Sequence, residues 1–412
     1  MTEPPTFPAH GRPAAAVLAA LQANRHDDVD WRSGRAFSLV YHPDDPALEE
    51  LLEAVSREYL AENALNPFAF PSLHRLERDV VAWCADLLHG ADGTLTSGGT
   101  ESIFLAVRVG RELAHDRGVE KPTLVTPVSA HPAFGKAAHL LGVEHVRVPL
   151  DEDHRVDLGA LRDALDDRTS LVVASAPNYP YGVIDPVTEV AALAAERGLP
   201  CHVDACLGGM LLPFWERIGE PVPPWDLRVP GVTSLSADIH KYGYSYKGAS
   251  VLLFADAATA FRTWWFGDED WGGGIYGGPT SAGTRPAPPI AGAWAAIQHL
   301  GIDGYEAKAR VLRDALHRLL AGLAEIPDLL VTEAPDLTVL EIGSATLDLE
   351  AVHAEMRARG WHLDRQPGGL HLMLSPYHAR VIDELLSDLR ESVTTDRRGE
   401  GRAATYGAEH PA

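Results

Sequence analysis

A lysine directly after a histidine, at the end of an apolar segment, is the feature of this chain with the clearest chemical use. Residues 234–243 contain His240 and Lys241. A lysine amine attacks carbonyl groups only when it is unprotonated, and burial near apolar or cationic groups lowers its pKa enough to allow this. The pair suits a lysine that forms a Schiff base. Taken alone, it is more often an ordinary solvated lysine whose stem packs on the surface.

An aspartate at the end of a second segment could serve the same site. Asp204 ends the predicted strand 201–204, where an unpaired carboxylate would be costly to bury. A protonated pyridine nitrogen is a suitable partner, because the pairing keeps the ring cationic and able to accept electrons from a breaking bond. The alternative is that Asp204 caps the turn after the strand.

A glycine-containing segment offers a place for a phosphate. In residues 97–102, Ser-Gly-Gly-Thr-Glu-Ser, the glycines let the backbone approach an anion, and the following helix would present unpaired N–H groups and a positive dipole end. The alternative is a simple capping box formed by Ser97 and a later acid.

A histidine at a strand-to-helix junction completes the set. His131 could stack on a flat ring and move protons, although a lone histidine is usually structural. With Lys241 as the Schiff-base lysine and His240 as a phosphate contact, the four features together predict a pyridoxal 5'-phosphate enzyme.

The predicted secondary structure brings these features to one edge of a sheet. Strands are predicted at 123–127, 145–148, 171–174, 201–204 and 232–235, alternating with helices at 132–141, 158–165 and 186–197. This alternation predicts an α/β fold with a mostly parallel sheet, whose ligands bind at the carboxyl ends of the strands. Further helices are predicted at 46–63, at 73–88 and from about 94 to 116. Residues 249–254 follow Lys241 closely enough to form an antiparallel hairpin partner.

Composition excludes several classes of partner. The 412 residues carry 35 basic and 58 acidic side chains, a net charge of -23, which disfavours nucleic acid and anionic membranes but not a small phosphate in a local pocket. Cys84, Cys201 and Cys206 are too few for a disulfide framework and lack the spacing of a zinc site, so no metal is predicted. Without an apolar leader or a membrane-length apolar run, the chain is predicted to be cytoplasmic.

Four segments are predicted along the chain. They are an N-terminal arm at 1–45, a large cofactor-binding domain at 46–310, a small C-terminal α+β domain at 311–395 and a disordered tail at 396–412. The tail has few apolar residues with which to form a core.

Taken together, these motifs resemble the pyridoxal-phosphate-dependent group II decarboxylase family, and within it the sphingosine phosphate lyases. The similar stretches keep their order and spacing from about residue 35 to 393. They are 97–103, 131–138, 182–186, 202–209, 236–244, 270–276, 279–280 and 283–286.

The resemblance implies a fold-type I, aspartate-aminotransferase-like architecture and a homodimer with active sites at the subunit interface. It also implies residue roles. Lys241 would be the Schiff-base lysine, Asp204 the pyridine partner and His131 the stacking residue. The cofactor phosphate would be surrounded by Gly99, Thr100 and His240, and its site would be closed from the partner subunit by Gly277 and Gly278. The substrate-phosphate pocket would contain Tyr41, Asn63 and Lys247.

The chain departs from the lyase pattern near the substrate pocket. Residues 63–68 read Asn-Ala-Leu-Asn-Pro-Phe where the lyases usually read Asn-Pro-Leu-His-Pro-Asp, so Asn66 replaces a histidine associated with the substrate phosphate. Tyr181 stands where histidine is common, and Ser245 and Tyr246 replace a small residue and a proline before Lys247. The sequence therefore leaves open whether the substrate is a sphingoid phosphate.

The predicted activity is carbon–carbon cleavage. The resemblance implies an aldehyde-lyase that breaks the C2–C3 bond of a phosphorylated 3-hydroxy-2-amine such as sphingosine 1-phosphate, with Tyr41, Lys241 or His131 carrying protons. The alternative is a pyridoxal-phosphate-dependent amino-acid decarboxylase, since the bond held perpendicular to the ring decides which bond breaks. A non-catalytic scaffold is disfavoured, because both Lys241 and Asp204 are present.

Overall fold

The computed structural model describes residues 6–258 and 266–394, so the predicted tail at 396–412 lies outside the described residues. The helices in these residues are α1 Ala14–Ala23, α2 Pro46–Glu58, α3 Pro71–Leu88, α4 Gly99–Asp116, α5 Ala133–Leu141, α6 Leu158–Ala164, α7 Val187–Ala195, α8 Leu212–Arg217, α9 Ala287–Leu323, α10 Leu349–Ala358 and α11 Ile382–Ser392. The strands are β1 Asp92–Thr96, β2 Thr123–Pro127, β3 Glu144–Val148, β4 Thr169–Ser175, β5 Cys201–Asp204, β6 Val232–Ala237, β7 Ser250–Phe254, β8 Phe266–Asp268, β9 Tyr276–Gly278, β10 Leu330–Val331, β11 Val339–Gly343, β12 Asp364–Gln366 and β13 Gly369–Met373.

A seven-stranded sheet positions the predicted site. Its strand order is β1-β7-β6-β5-β4-β2-β3, and β7 alone runs antiparallel to its neighbours within the sheet. Both the mostly parallel α/β sheet and the antiparallel strand after Lys241 are therefore confirmed. In the register, Ser175 lies opposite Asp204 and Asp204 opposite Ser236, so these strand ends are level.

Helices cover both faces of this sheet. On one face, Ile103 and Phe134 from α4 and α5 pack in a cluster with Leu171 and Leu252 of the sheet. A larger core on the other face includes residues of α3, α7 and α9. Strand β4 is buried along its whole length, as expected for a strand covered on both sides.

A second sheet forms towards the C-terminus. It has four antiparallel strands in the order β10-β11-β13-β12, and α10 and α11 follow β11 and β13 in the chain. The predicted domain boundary after residue 310 falls within α9, and the helix is interrupted at Gly301, where φ is 57°. The domain division stays a prediction.

Two predicted helix bounds are wrong, and both errors lie beside the site. The helix predicted from about residue 94 begins only at Gly99, because 92–96 forms β1, paired with β7 through a close approach at Gly93. A Cβ on Gly93 would lie 2.2 Å from the Leu252 carbonyl oxygen. The helix predicted to residue 63 ends at Glu58, because the following segment pairs with residues 285 and 286, and Ala64 N donates to Arg285 O at 3.0 Å.

Several short elements were not predicted at all: α8, β8, β9 and β12. Across the described residues, none of the helices combines the length and the apolarity needed to cross a membrane.

Candidate active site

The carboxyl ends of the sheet strands bring the predicted features together. Asp204 ends β5, the segment with Lys241 follows β6, Gly98 and Gly99 follow β1, and His131 follows β2. The His131 imidazole lies close enough to Asp204 and Lys241 for their charges to shift its pKa in opposite directions. The four features therefore form one site, and the role of each residue stays a prediction.

Lys241 is held by an ion pair. Its Nζ lies 3.0 Å from Asp238 Oδ2, and its backbone N–H donates to the Asp238 carbonyl at 3.2 Å. Burial lowers the pKa of Lys241, but Asp238, together with Tyr41 and Cys206, raises it by more in sum, so the pKa lies well above its ordinary value. The sequence-based expectation of a lowered pKa is therefore wrong for the free lysine.

Asp238 is a site residue that the sequence analysis missed. The residue is only 2% exposed, and its Oδ1 is a buried atom without a hydrogen-bond partner. Burial raises the pKa of Asp238, but Lys241 and His240 outweigh it and leave the pKa below its usual value. The available signal was its place just after β6, matching that of Asp204 at the end of β5.

Asp204 has hydrogen bonds that hold it at the strand end. Its Oδ1 accepts from Cys206 N at 3.1 Å and from Ser236 Oγ at 3.4 Å. The same Ser236 hydroxyl lies 3.2 Å from His202 Nε2. Asp204 does cap the turn after β5, and this contact also fixes the carboxylate beside the other site residues.

His131 is oriented by the helix that follows it. Its Nδ1 accepts a hydrogen bond from Ala133 N at 3.1 Å, so in the neutral ring the proton is assigned to Nε2. Burial lowers the pKa of His131, and the charge of Asp204 only partly offsets this. The neutral imidazole can therefore donate a proton at Nε2.

The loop after β1 has the geometry of an anion site. Gly98 has φ 146° and precedes α4 without a side-chain cap. A Cβ on Gly99 would lie 2.8 Å from both Asp238 Oδ2 and Cys206 Sγ, so only glycine allows this close backbone approach. The first turn of α4, with Thr100 exposed, therefore presents the N–H groups and the dipole end that a phosphate requires.

Glu101 joins this loop to the segment after β9. Its Oε2 accepts from Ser97 N at 2.7 Å and its Oε1 from Ser281 N at 2.8 Å. Burial raises the pKa of Glu101, but its hydrogen bonds with Ser281 and Ser97 together lower the pKa by more. The pKa of Glu101 therefore lies below its usual value. Glu101 thus makes the acid-to-backbone contact with Ser97 that a capping box would contain. It also holds the loop at Ser281.

His240 lies beside the glycine loop. Its Cε1 would be 3.7 Å from a Cβ built on Gly98, and its Nδ1 is 2.8 Å from the Ala249 carbonyl oxygen. Its role as a phosphate contact stays a prediction.

Tyr41 and Lys247 lie against each other close to Lys241. Lys247 Nζ is 4.7 Å from the centroid of the Tyr41 ring and 3.4 Å from the His240 carbonyl oxygen. Partial burial of the ammonium, followed by the charge of Lys241, lowers the pKa of Lys247 to about 8. A lysine with a lowered pKa thus lies next to Lys241.

The side chains of Asn63 and Asn66 have hydrogen-bond partners within the chain. Asn63 Nδ2 donates to Thr284 Oγ1 at 3.3 Å, and Asn66 Oδ1 accepts from Phe68 N and Ala69 N at 2.9 and 3.2 Å. Asn66 therefore caps a turn of its own segment. The predicted contact of both side chains with substrate stays a prediction.

Gly277 and Gly278 lie in the β8–β9 hairpin. They line a groove of about 1130 Å³ formed with residues of α3, α4 and β1, and Lys241 is not among its lining residues. The closing of the phosphate site by the two glycines stays a prediction.

Comparison with known proteins identifies the class. Residues 58–332 match the pyridoxal-dependent decarboxylase conserved domain, and the chain belongs to this family. It is 42% identical over 399 residues to sphingosine-1-phosphate lyase 1 of Rattus norvegicus, covering 94% of this chain and 70% of the relative. It is 37% identical to sphingosine-1-phosphate lyase of Arabidopsis thaliana, covering 95% and 75%.

Solved structures support the same assignment. The structure of sphingosine-1-phosphate lyase of Burkholderia pseudomallei matches with a TM-score of 0.90 and 39% identity, covering 94% of this chain and 92% of that one. Glutamate decarboxylase of Lactobacillus brevis matches with a TM-score of 0.83 but only 18% identity, covering 95% of each chain, which shows the shared fold. The protein is a pyridoxal-phosphate-dependent lyase.

Proposed function

We propose that this protein is an aldehyde-lyase that cleaves the C2–C3 bond of a phosphorylated 3-hydroxy-2-amine such as sphingosine 1-phosphate, giving an aldehyde and phosphoethanolamine. The observation that carries the proposal is 34–42% identity over nearly the whole chain to proteins named sphingosine-1-phosphate lyase. The decarboxylase structures match at 15–18% identity, which supports only the shared fold.

The residues at the strand ends fit pyridoxal phosphate. The glycine approach at Gly99 and the uncapped N-terminus of α4 suit its phosphate, and Asp204 offers a fixed carboxylate to its ring nitrogen. The residues proposed to hold it are Lys241, Asp204, His131, Gly99, Thr100 and His240. When bound, the cofactor supplies an electron sink for the charge left by a broken bond.

The side chains around Lys241 divide the remaining work. Lys247, beside Tyr41, is placed to bind the substrate phosphate. His131, whose Nδ1 already accepts a hydrogen bond from Ala133 N, donates at Nε2. Removal of the proton from the C3 hydroxyl therefore falls to Tyr41, because Lys241, once free and paired with Asp238, already carries its proton.

Product analysis tests the proposal. Purified enzyme with added pyridoxal phosphate should convert a phosphorylated 3-hydroxy-2-amine to an aldehyde and phosphoethanolamine, both measured by mass spectrometry. A parallel panel of amino acids should release no carbon dioxide above background. Carbon dioxide without aldehyde would favour the decarboxylase instead.

The variant Lys247→Met should lose affinity for the phosphate group. Removing one charge-assisted contact of about 1.5–3 kcal/mol should raise KM for the phosphorylated substrate about 10- to 100-fold. Because the pKa of Lys247 is about 8, the wild-type KM should also rise as pH increases through 8 and the ammonium loses its proton. Steady-state kinetics across pH measure both effects.

The exposed Lys121 provides the control. Lys121→Met should leave KM unchanged, and the unphosphorylated substrate should react equally with Lys247→Met and wild type. An equal loss for both substrates would show that Lys247 does not bind the phosphate.

We further propose a homodimer in which Gly277 and Gly278 of each subunit close the phosphate site of the other. Exposed apolar side chains near the hairpin support it, because such patches mark interaction surfaces: Phe68 is 93%, Trp271 58% and Ile275 82% exposed. In sedimentation velocity the protein should have twice the 44.4 kDa mass of one chain. Ile275→Asp should weaken the dimer. The control Leu140→Asp, on the exposed face of α5, should leave the dimer intact. A fully active monomer would contradict the proposal.

The compartment we propose is the cytoplasm. Cys84, Cys201 and Cys206 are all free and buried, which suits a reducing environment. A lipid substrate would then have to reach the enzyme by exchange from a membrane or carrier.

A further inference from the structure

We propose that Asp238 is a positioning residue for Lys241, holding the free lysine side chain as an ammonium whenever Lys241 is not bonded to the cofactor. The inference rests on the proposed cofactor role of Lys241. It assigns a task to a carboxylate that the sequence motifs did not single out.

The turn after β6 fixes both ends of the contact. Asp238 is the first residue after the strand, and its carbonyl accepts from Lys241 N at 3.2 Å. The side chains meet again at 3.0 Å between Nζ and Oδ2. Asp238 therefore holds the backbone of Lys241 through its carbonyl and the Nζ of Lys241 through its carboxylate, within one turn.

The carboxylate has little freedom to choose another partner. Asp238 is 2% exposed and its Oδ1 has no hydrogen-bond partner. A Cβ on Gly99 would lie 2.8 and 2.9 Å from the two carboxylate oxygens, so α4 closes that side. An ionised carboxylate buried this deeply is stable only with a cation beside it, and the cation is Lys241.

The other titratable groups around the pair do not replace this contact. The titratable groups that interact electrostatically with Lys241, with Asp238 or with both are Tyr41, His131, Cys206, His240 and Lys247. Asp204 faces this cluster from the end of β5. Burial lowers the pKa of His131 and His240 and raises that of the Cys206 thiol, so these three are neutral near pH 7. His240 Nε2 is also farther from Asp238 Oδ2, at 3.8 Å.

Such a contact has a use during turnover. When a substrate amine displaces Lys241, the released amine takes up the proton that the substrate ammonium gives up, and Asp238 pairs with the resulting ammonium. The nitrogen stays near its bonding position, and it returns the proton before it bonds again. Asp238 thus acts through Lys241 and touches no substrate in this account.

Competitive labelling of the full-length protein freed of cofactor tests the inference. Trace acetic anhydride is added over a range of pH, and peptide mass spectrometry gives the pH at which Lys241 becomes reactive, with the exposed Lys136 as internal reference. Wild-type Lys241 should become reactive at a higher pH than Lys136. In Asp238→Asn the midpoint for Lys241 should fall by about 1 unit or more, because a neighbouring negative charge is lost.

Asp226→Asn is the matched control, since Asp226 is also a buried carboxylate paired with a cation, Arg228, at 2.9 Å. It should leave the Lys241 midpoint unchanged. An Asp238→Asn midpoint equal to wild type would overturn the inference. So would wild-type Lys241 reacting at or below the pH of Lys136, a comparison that needs no folded variant. The labelling uses no substrate, so a failure of the proposed lyase reaction leaves its result interpretable.

Discussion

Lys241→Ala should purify without covalently bound cofactor and lose activity by on the order of 10³-fold or more, because the variant lacks the amine proposed to bond the cofactor. Borohydride reduction followed by peptide mass spectrometry measures the first effect. In the wild type, the peptide containing Lys241 should gain the mass of the reduced cofactor, and in the variant no peptide should gain it.

Lys136→Ala is the control for this experiment, because Lys136 is exposed and lies on α5 near His131. It should keep both the cofactor adduct and the activity. An adduct on a different lysine of the wild type would contradict the assignment of Lys241.

Asp204→Asn should lower kcat by on the order of 10²–10⁴-fold. The change keeps an oxygen that can accept from Cys206 N, but it removes the charge proposed to hold the ring nitrogen protonated. Breaking one buried ion pair costs about 3–5 kcal/mol, which sets this magnitude. Measuring kcat per bound cofactor, with the cofactor Kd from a parallel titration, separates the electronic effect from weaker binding.

The control for this variant is again Asp226→Asn, which removes the charge of a different buried carboxylate, one paired with Arg228. It should lower the free energy of unfolding with little effect on kcat. If Asp204→Asn kept kcat per bound cofactor within a few-fold of wild type, Asp204 would not be the ring-nitrogen partner.

The sequence predicted the sheet and the meeting of its strand ends because both follow from simple rules. Apolar segments alternating with helical ones indicate a parallel sheet, and the carboxyl ends of such strands lie at one edge. These rules alone place Asp204, His131 and Lys241 in one site. The family motifs added the roles, which the spacing of residues alone could not supply.

The errors came from features that only tertiary contacts determine. Strand β1 has only five residues, and one of them is Gly93. Because a short segment with a glycine is a weak strand signal, β1 is recognised only from its pairing with β7. The pKa of Lys241 was misjudged because the effect of Asp238 depends on a turn that brings two side chains to 3.0 Å. The capping role of Asn66 likewise depends on the local backbone of residues 66–69.

An isotope-labelled substrate shows directly whether the enzyme breaks the C2–C3 bond and whether the reaction needs Lys241. A phosphorylated 3-hydroxy-2-amine labelled with ¹³C at both C2 and C3 is incubated with the wild-type enzyme and with Lys241→Ala, and the products are separated by mass spectrometry. With the wild-type enzyme, the C3 label should appear in the aldehyde and the C2 label in phosphoethanolamine. Lys241→Ala should form neither product. Recovery of both labels in one product, with turnover, would contradict cleavage of the C2–C3 bond.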